Sequence, residues 1–248
     1  MAPTWTKTLW HKLGRLHAWC NRFETPLLLL ALLLLLRLPN FAEPYWYGDE
    51  GIYLAIGTGL RQGLRLYRDI VDHKTPIIYW LAMAPTQVWF RWLLLGWMSA
   101  ATLFFWDGVR RLVSARAATI AGVLFVVLTS LPALEGNIPN GELFVIGFIS
   151  AAFWLVTSAR DAKPHRRPGI WLGAGLLAGL GILTKVPAVL DAGAIASLFW
   201  FYTLEKKKNP GKSFILPVLI FGAGVLLALL ASIGYFALRG TLSDYLQF

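Results

Sequence analysis

From Leu27 to Leu36 the chain carries ten consecutive residues without one polar side chain. A helix that is apolar all the way round has no face to give to water, so it lies in lipid or in a deep core. The run is the first of a series. Crossing a bilayer takes about 20 helical residues, and stretches of about that length recur at 24–42, 92–109, 117–135, 141–159, 169–184, 187–204 and 213–238. Hydrophobic residues make up 57% of the chain and charged residues 15%, with a mean hydropathy of +0.58. Soluble domains carry about a quarter charged residues. The expected fold class is therefore all-α and integral to the membrane. It is a multi-pass bundle of about seven transmembrane helices forming one domain over residues 1–248. The fifth stretch is short and holds Gly169, Gly173, Gly175, Gly179 and Gly181, which suits close helix packing.

The net charge of +10 does not point to nucleic acid. Lys and Arg come in short clusters between apolar runs, with no stacking motif or zinc spacing beside them. They read as orientation signals, since cytoplasmic loops carry excess Lys and Arg. The N-terminal segment, Arg110-Arg111 with Arg116, Arg160 to Arg167, and Lys206 to Lys212 together hold 15 of the 23 basic residues. The seven spans place all four clusters on one side, with the N-terminus cytoplasmic. The opposite, extracytoplasmic side receives Asp49, Glu50, Asp69, Asp72, Glu135, Glu142 and Asp244. The basic start followed by an apolar core imitates a signal peptide, but no small-x-small cleavage site follows it, so it reads as an uncleaved first helix. Cys20, the single cysteine, can form neither an intramolecular disulfide nor a metal cluster.

Residues 43–91 then form one long outer loop. Two adjacent carboxylates, Asp49 and Glu50, open it where the chain leaves the membrane, and such acids need a task or a partner. A short helix is expected from near Asp49, with Ile52, Ala55, Ile56, Gly59 and Leu60 on its apolar face and Gly63 at its end. Pro76 to Phe90 is apolar enough to pass for a span. Counting it as one would move Arg110, Arg111 and Arg116 to the outer side, so it is expected as an interfacial helix anchored by Tyr79, Trp80, Trp89 and Phe90.

The motifs follow in order: Asp49-Glu50, Tyr67-Arg68-Asp69, Asp72-His73-Lys74-Thr75-Pro76, Asn140-Gly141-Glu142 and Leu183-Thr184-Lys185. In this order on one membrane face they resemble the polyprenyl-phosphate-sugar glycosyltransferases of the GT-C fold. That superfamily includes the dolichyl-phosphate-mannose protein mannosyltransferases and the aminoarabinose transferases of lipid A. Thr75 stands where the first proline after the lysine is usual, and the linker before Arg91 is short. Members of that superfamily are roughly twice as long, so the chain is expected to correspond to the N-terminal half of such an enzyme or to a truncated homologue. The resemblance implies transfer of a sugar from a polyprenyl phosphate, undecaprenyl-type if bacterial, to a hydroxyl of an acceptor glycan, lipid or protein. It implies inversion at the anomeric carbon on the extracytoplasmic face, in the plasma (inner) membrane if the source is bacterial.

Such a transfer needs a base for the acceptor hydroxyl, stabilisation of an oxocarbenium-like centre and a cation for the departing phosphate. Asp49 is the candidate base, with a helix N-cap as the competing reading. Glu50 orients Asp49 or the acceptor, or answers the helix dipole. Glu142, at the start of the fourth span, binds sugar hydroxyls or assists the base. Lys74 is the first candidate for the donor phosphate, with His73, Arg91 and Lys185 beside it. The competing readings are snorkelling for Lys74 and Arg91, a structural hydrogen bond for His73, and an ion pair with Asp191 for Lys185. Arg37 is expected to snorkel, Asp107 to pair with Arg110, and Asp69 and Asp72 to be solvated or to partner Arg68. No cofactor is expected. Paired acids can hold a divalent metal, but the resemblance implies none. Two other classes remain open: a transporter or lipid flippase, whose ionisable groups belong near mid-membrane, and a non-catalytic homologue that assists a partner.

Overall fold

The computed structural model describes residues 24–44, 47–205 and 214–247. Helix α1 spans Glu24–Ala42, its last turn, Leu38–Ala42, tightening to a 3-10 helix. It is followed by α2 (Gly48–Arg61), α3 (Ile77–Leu81), α4 (Gln87–Leu112), α5 (Ala115–Leu128) and α6 (Gly141–Ser158). Then come α7 (Arg167–Ile182), α8 (Ala188–Glu205), α9 (Ile215–Leu238) and the short α10 (Leu242–Tyr245). The described residues contain no strand beyond an isolated bridge between Leu66 and Ile70.

A helix stands at each of the seven expected positions. Four of them, α1, α4, α6 and α9, are long and apolar enough to cross a membrane, while Ala115–Leu128 and Ala188–Phe201 are apolar but shorter. On α9, Leu216, Leu219, Leu226, Leu227 and Leu230 face outward, a surface that water disfavours and hydrocarbon accepts. The interfacial helix expected over Pro76 to Phe90 takes another form. Only Ile77–Leu81 is helical there, and residues 87–90 belong to α4. Pro85 breaks the run, and the Thr86 hydroxyl then caps α4 by accepting the Trp89 N–H at 3.4 Å.

Helix α4 sets the two ends of the bundle. Arg91 lies near its start and Arg111 near its finish, about 30 Å apart at about 1.5 Å per residue. At the far end Asp107 receives Arg110, Arg111 and the Trp154 indole N–H. The Arg111 guanidinium also reaches Asp161 at 2.8 Å, so the Arg110-Arg111 cluster and the Arg160 to Arg167 cluster share one face. The N-terminal basic segment, Cys20 and Lys206 to Lys212 lie outside the described residues.

Packing follows the small residues. Helix α4 lies against α5 and α6, α6 against α7, and α7 against α9. In the last pair Gly175 sits directly on the Phe221 carbonyl, and a Cβ on Gly179 would stand 2.6 Å from that of Ala228. Glycine therefore lets the two backbones touch, as expected for the fifth stretch. One core, around Tyr53, Tyr79, Phe90 and Phe144, seats the segment between α1 and α4 on the bundle. A second, around Val156, Ala178, Phe199 and Phe221, joins the later helices.

Gly175→Ala should force α7 and α9 apart and lower stability by about 1–3 kcal/mol, as overpacking does. Gly169→Ala, where nothing lies within 4 Å of the added carbon, should leave it unchanged. Thermal unfolding in detergent compares the two.

Candidate functional site

The site begins with how α2 is fixed. Its N-cap is Tyr47, whose extended backbone starts the helix without a capping side chain. Asp49 is therefore not the cap. It stands with Glu50 in the first turn, where both carboxylates face the positive end of the helix dipole. Glu50 turns inward and is 0% exposed. It accepts the Arg91 Nε–H and Nη2–H, each at 2.8 Å, and the Gln87 side chain at 3.0 Å. Arg91, 4% exposed, gives its remaining nitrogen to the carbonyl oxygens of Asn40 and Glu43. This pair ties α1, α2 and α4 together, and its groups are turned toward one another rather than toward a substrate. The buried face of α2 is accordingly Glu50, Tyr53, Leu54, Ile56, Gly57 and Gly59; Ile56 and Gly59 of the expected face are buried, whereas Ile52 and Ala55 are exposed.

One residue before Glu50, a helical step of about 100° turns Asp49 to another side. Its Oδ2 accepts the Tyr53 hydroxyl at 2.8 Å and meets the Lys74 ammonium. The Lys74 Nζ also donates to the Tyr53 oxygen at 2.6 Å and lies 4.7 Å from the centre of that ring. Asp49, Tyr53 and Lys74 thus form a closed triangle. Burial pushes the Asp49 carboxyl up, but the hydrogen bonds from Lys74 and Tyr53 and the charge of Lys74 outweigh it and hold the group below the usual carboxylate range. The pair's share of stability is therefore present above about pH 3.9, the unfolded value, and is lost as pH falls through the lower folded value. Burial, then the bond to Asp49, raises the Tyr53 phenol well above its ordinary value, so it stays a hydrogen donor.

Lys74 is held by its backbone. Its N–H donates to the Tyr79 hydroxyl at 3.2 Å, and its carbonyl accepts the Tyr67 hydroxyl at 2.7 Å. Tyr79 in turn donates to Asp72 at 2.7 Å. Tyr67 adopts φ 67°, a left-handed conformation that costs a bulky residue of order 1 kcal/mol or more. Its ring packs on Phe236 and Tyr245. The Ile77 N–H donates to the Leu183 carbonyl at 3.0 Å, which joins this loop to the turn after α7.

Glu142 and Lys185 meet across that junction. Asn140 caps α6 by accepting the Leu143 N–H at 3.0 Å, which sets Glu142 in the first turn. Lys185 pairs with Glu142, not with Asp191. A Cβ on Gly141 would lie 3.6 Å from the Lys185 side chain and 3.9 Å from the Tyr53 hydroxyl. The two carboxylate–ammonium pairs therefore stand side by side around Gly141. Among the expected residues, Asp49, Lys74, Glu142 and Lys185 come together, whereas Glu50 and Arg91 lie behind them. His73 is 79% exposed and its Nδ1 turns to Asp72 at 2.8 Å. Arg37 does not snorkel: it is 2% exposed and donates to the Thr129 carbonyl at 2.6 Å. Asp69 pairs with Arg65, and Arg68 reaches Asp244 at 3.4 Å. Tyr53, Tyr67 and Tyr79 do not stand among the expected site residues, although Tyr67 opens one of the motifs and Tyr79 was expected as an interfacial anchor. For Tyr53 the i, i+4 spacing, which puts it on the Asp49 face of a helix, is the signal in the sequence.

The described residues bring no three His, Cys, Asp or Glu side chains together in a metal-holding group. What the arrangement offers is a carboxylate and an ammonium that neutralise each other at rest, with a phenol between them and a second such pair alongside. The profile of the dolichyl-phosphate-mannose-protein mannosyltransferase family matches residues 73–236. This segment contains Lys74, Arg91, Glu142 and Lys185, and Asp49, Glu50 and Tyr53 precede it. No curated protein and no solved structure matches the chain.

Arg91→Met should leave the Glu50 carboxylate buried and unpaired and cost about 3–5 kcal/mol. Glu50→Gln with Arg91→Met should recover much of that loss, because no lone charge is then buried. Denaturant unfolding of the single and double variants measures the difference.

Proposed function

Because the chain belongs to the dolichyl-phosphate-mannose-protein mannosyltransferase family, we propose that it moves a sugar from a polyprenyl phosphate to an acceptor hydroxyl. In this reading about seven helices cross the membrane and the reaction lies on the extracytoplasmic face. The direct contact of Asp49 with Lys74 is the observation that carries the reading. The donor phosphate, with more than one negative oxygen, competes with Asp49 for the Lys74 ammonium. Once Lys74 turns to the phosphate, the two effects it exerts on the Asp49 carboxyl are gone and burial still pushes that group up. Asp49 then becomes a better base at the moment the donor is in place.

The chemistry balances as a single displacement. The acceptor oxygen gives its proton to Asp49 and forms a bond to the anomeric carbon. The bond from that carbon to the phosphate oxygen breaks, and polyprenyl phosphate leaves with the electron pair, its charge met by Lys74. Attack opposite the leaving group inverts the anomeric centre. Tyr53 keeps its proton and holds Asp49 in place. Glu142 and Lys185, beside Tyr53, are placed to meet sugar hydroxyls or the acceptor. Glu50 and Arg91, which the sequence put among the working residues, support the site from behind in this reading. The acids of the triangle and of the second pair lie at one end of the bundle, which favours transfer over transport.

Asp49→Asn should abolish transfer from radiolabelled polyprenyl-phosphate sugars while leaving the folded yield unchanged. Lys74→Ala should raise the KM for the donor about tenfold or more, since a charged hydrogen bond to phosphate is lost. Full activity in the first variant removes Asp49 from the reaction, and an unaltered donor KM in the second removes Lys74 from the phosphate.

A further inference from the structure

A cavity of about 200 Å³ is bounded by the end of α2, the turn after it, Trp80 of α3 and the end of α9. Neither Asp49, Tyr53 nor Lys74 lines it. We propose that it holds the phosphate headgroup of a membrane phospholipid, as a site separate from the donor's.

Its place sets the kind of ligand. The apolar surface of α9 ends at Leu238, which is 92% exposed, and Arg239 follows it at once. The cavity opens where a hydrocarbon-facing helix gives way to charge, the level at which lipid headgroups lie. Gly63 and Gly240, with φ of 91° and 68°, turn the chain around this rim, a conformation that glycine adopts without strain.

Its chemistry sets the charge of the ligand. The lining sets Arg65, Arg239 and Thr241 against Leu64, Met83 and Tyr235. Arg65 is engaged by both oxygens of Asp69, at 2.9 and 3.1 Å. The other nearby acid, Asp244, faces Arg68 at 3.4 Å. Arg239 pairs with no carboxylate among the described residues, and its guanidinium lies 5.6 Å from the centre of the Tyr235 ring. Thr241, 1% exposed, places its hydroxyl-bearing side chain in the lining beside Arg239. Asp69 and Asp244 answer Arg65 and Arg68, and the positive charge left over among these groups, on Arg239, calls for an anion. The apolar wall beside them calls for an anion that carries hydrocarbon. A phosphodiester with its glycerol unit meets both demands, with its chains running along Tyr235 and Leu238 toward the bilayer.

The position also gives the site a consequence. Trp80 lines the cavity and Tyr79, next to it, holds the Lys74 N–H. Leu66 lines it too, and Tyr67, next to it, holds the Lys74 carbonyl. A headgroup seated here braces both elements that position Lys74.

The test uses the full chain, purified and delipidated in detergent, with native mass spectrometry reading retained lipid. The probes are phosphatidylglycerol, diacylglycerol and inorganic phosphate. The wild type should retain one phosphatidylglycerol and no diacylglycerol. Arg239→Gln should weaken that binding about tenfold, the worth of one charge-assisted hydrogen bond. Thr241→Val should weaken it less, Arg239→Lys should keep most of it, and Arg116→Gln, at the other end of the bundle, should not change it. Equal retention by Arg239→Gln and the wild type, or equal retention of diacylglycerol, overturns the site. Displacement of phosphatidylglycerol by inorganic phosphate at the same concentration overturns the lipid as its ligand. Thr241→Val supplies the same comparison if Arg239→Gln does not fold. None of these readouts depends on sugar transfer, so this site and the Asp49–Lys74 reading stand or fall separately.

Discussion

A buried carboxylate and a buried guanidinium hold α2 onto the bundle. Taking either charge out of water costs several kcal/mol, and only close, well-directed hydrogen bonds offset that. Glu50 and Arg91 supply them, with Gln87 and two backbone carbonyls completing the set. A buried ion pair is weak as a source of stability and strong as a fixer of register, because a slipped arrangement strands a charge. With Glu50 locked inward, the helix leaves Asp49 a single direction. Every later feature of the site, from Tyr53 one turn along to Lys74 across the loop, depends on that direction.

The site is consequently a set of groups that satisfy one another while they wait. Asp49 with Lys74 and Glu142 with Lys185 are two neutralised pairs set around Gly141, which lies beside both the Lys185 side chain and the Tyr53 hydroxyl. A pair of this kind is well adapted to a substrate that carries its own phosphate, because the substrate replaces an existing partner and leaves no charge exposed. The loop that carries Lys74 is held from both sides by tyrosine hydroxyls, and one of these tyrosines is kept in a strained backbone conformation by its aromatic neighbours. The position of the ammonium is thereby set by packing at the end of α9, far along the chain.

The helices could be read from the sequence because apolar runs of span length, bounded by Gly, Pro and basic residues, leave little else for a chain to do in lipid. The start of α4 was missed where two signals conflicted: the aromatic run through Phe90 argued for an interfacial helix, and Pro85-Thr86 is a break and a cap. The buried face of α2 was right at Ile56 and Gly59 but wrong at its start, where Ile52 and Ala55 are exposed, because apolarity alone was counted and the inward stripe begins with Glu50, a residue buried through its partner rather than its own preference. Partners distant in sequence were out of reach. Glu50 finds Arg91 across 41 positions, and Lys185 passes over nearby Asp191 for Glu142, which is 43 away. Asp49 and Lys74 were legible as chemistry, but not the tyrosine between them, which a helical spacing of four residues would have supplied.

The most direct measurement is a structure of the protein with a polyprenyl phosphate bound. The account predicts phosphate oxygens about 2.7–2.9 Å from the Lys74 ammonium, with the Asp49 carboxylate released from it and still bonded to Tyr53. A phosphate seated elsewhere, with Lys74 remaining on Asp49, would contradict it.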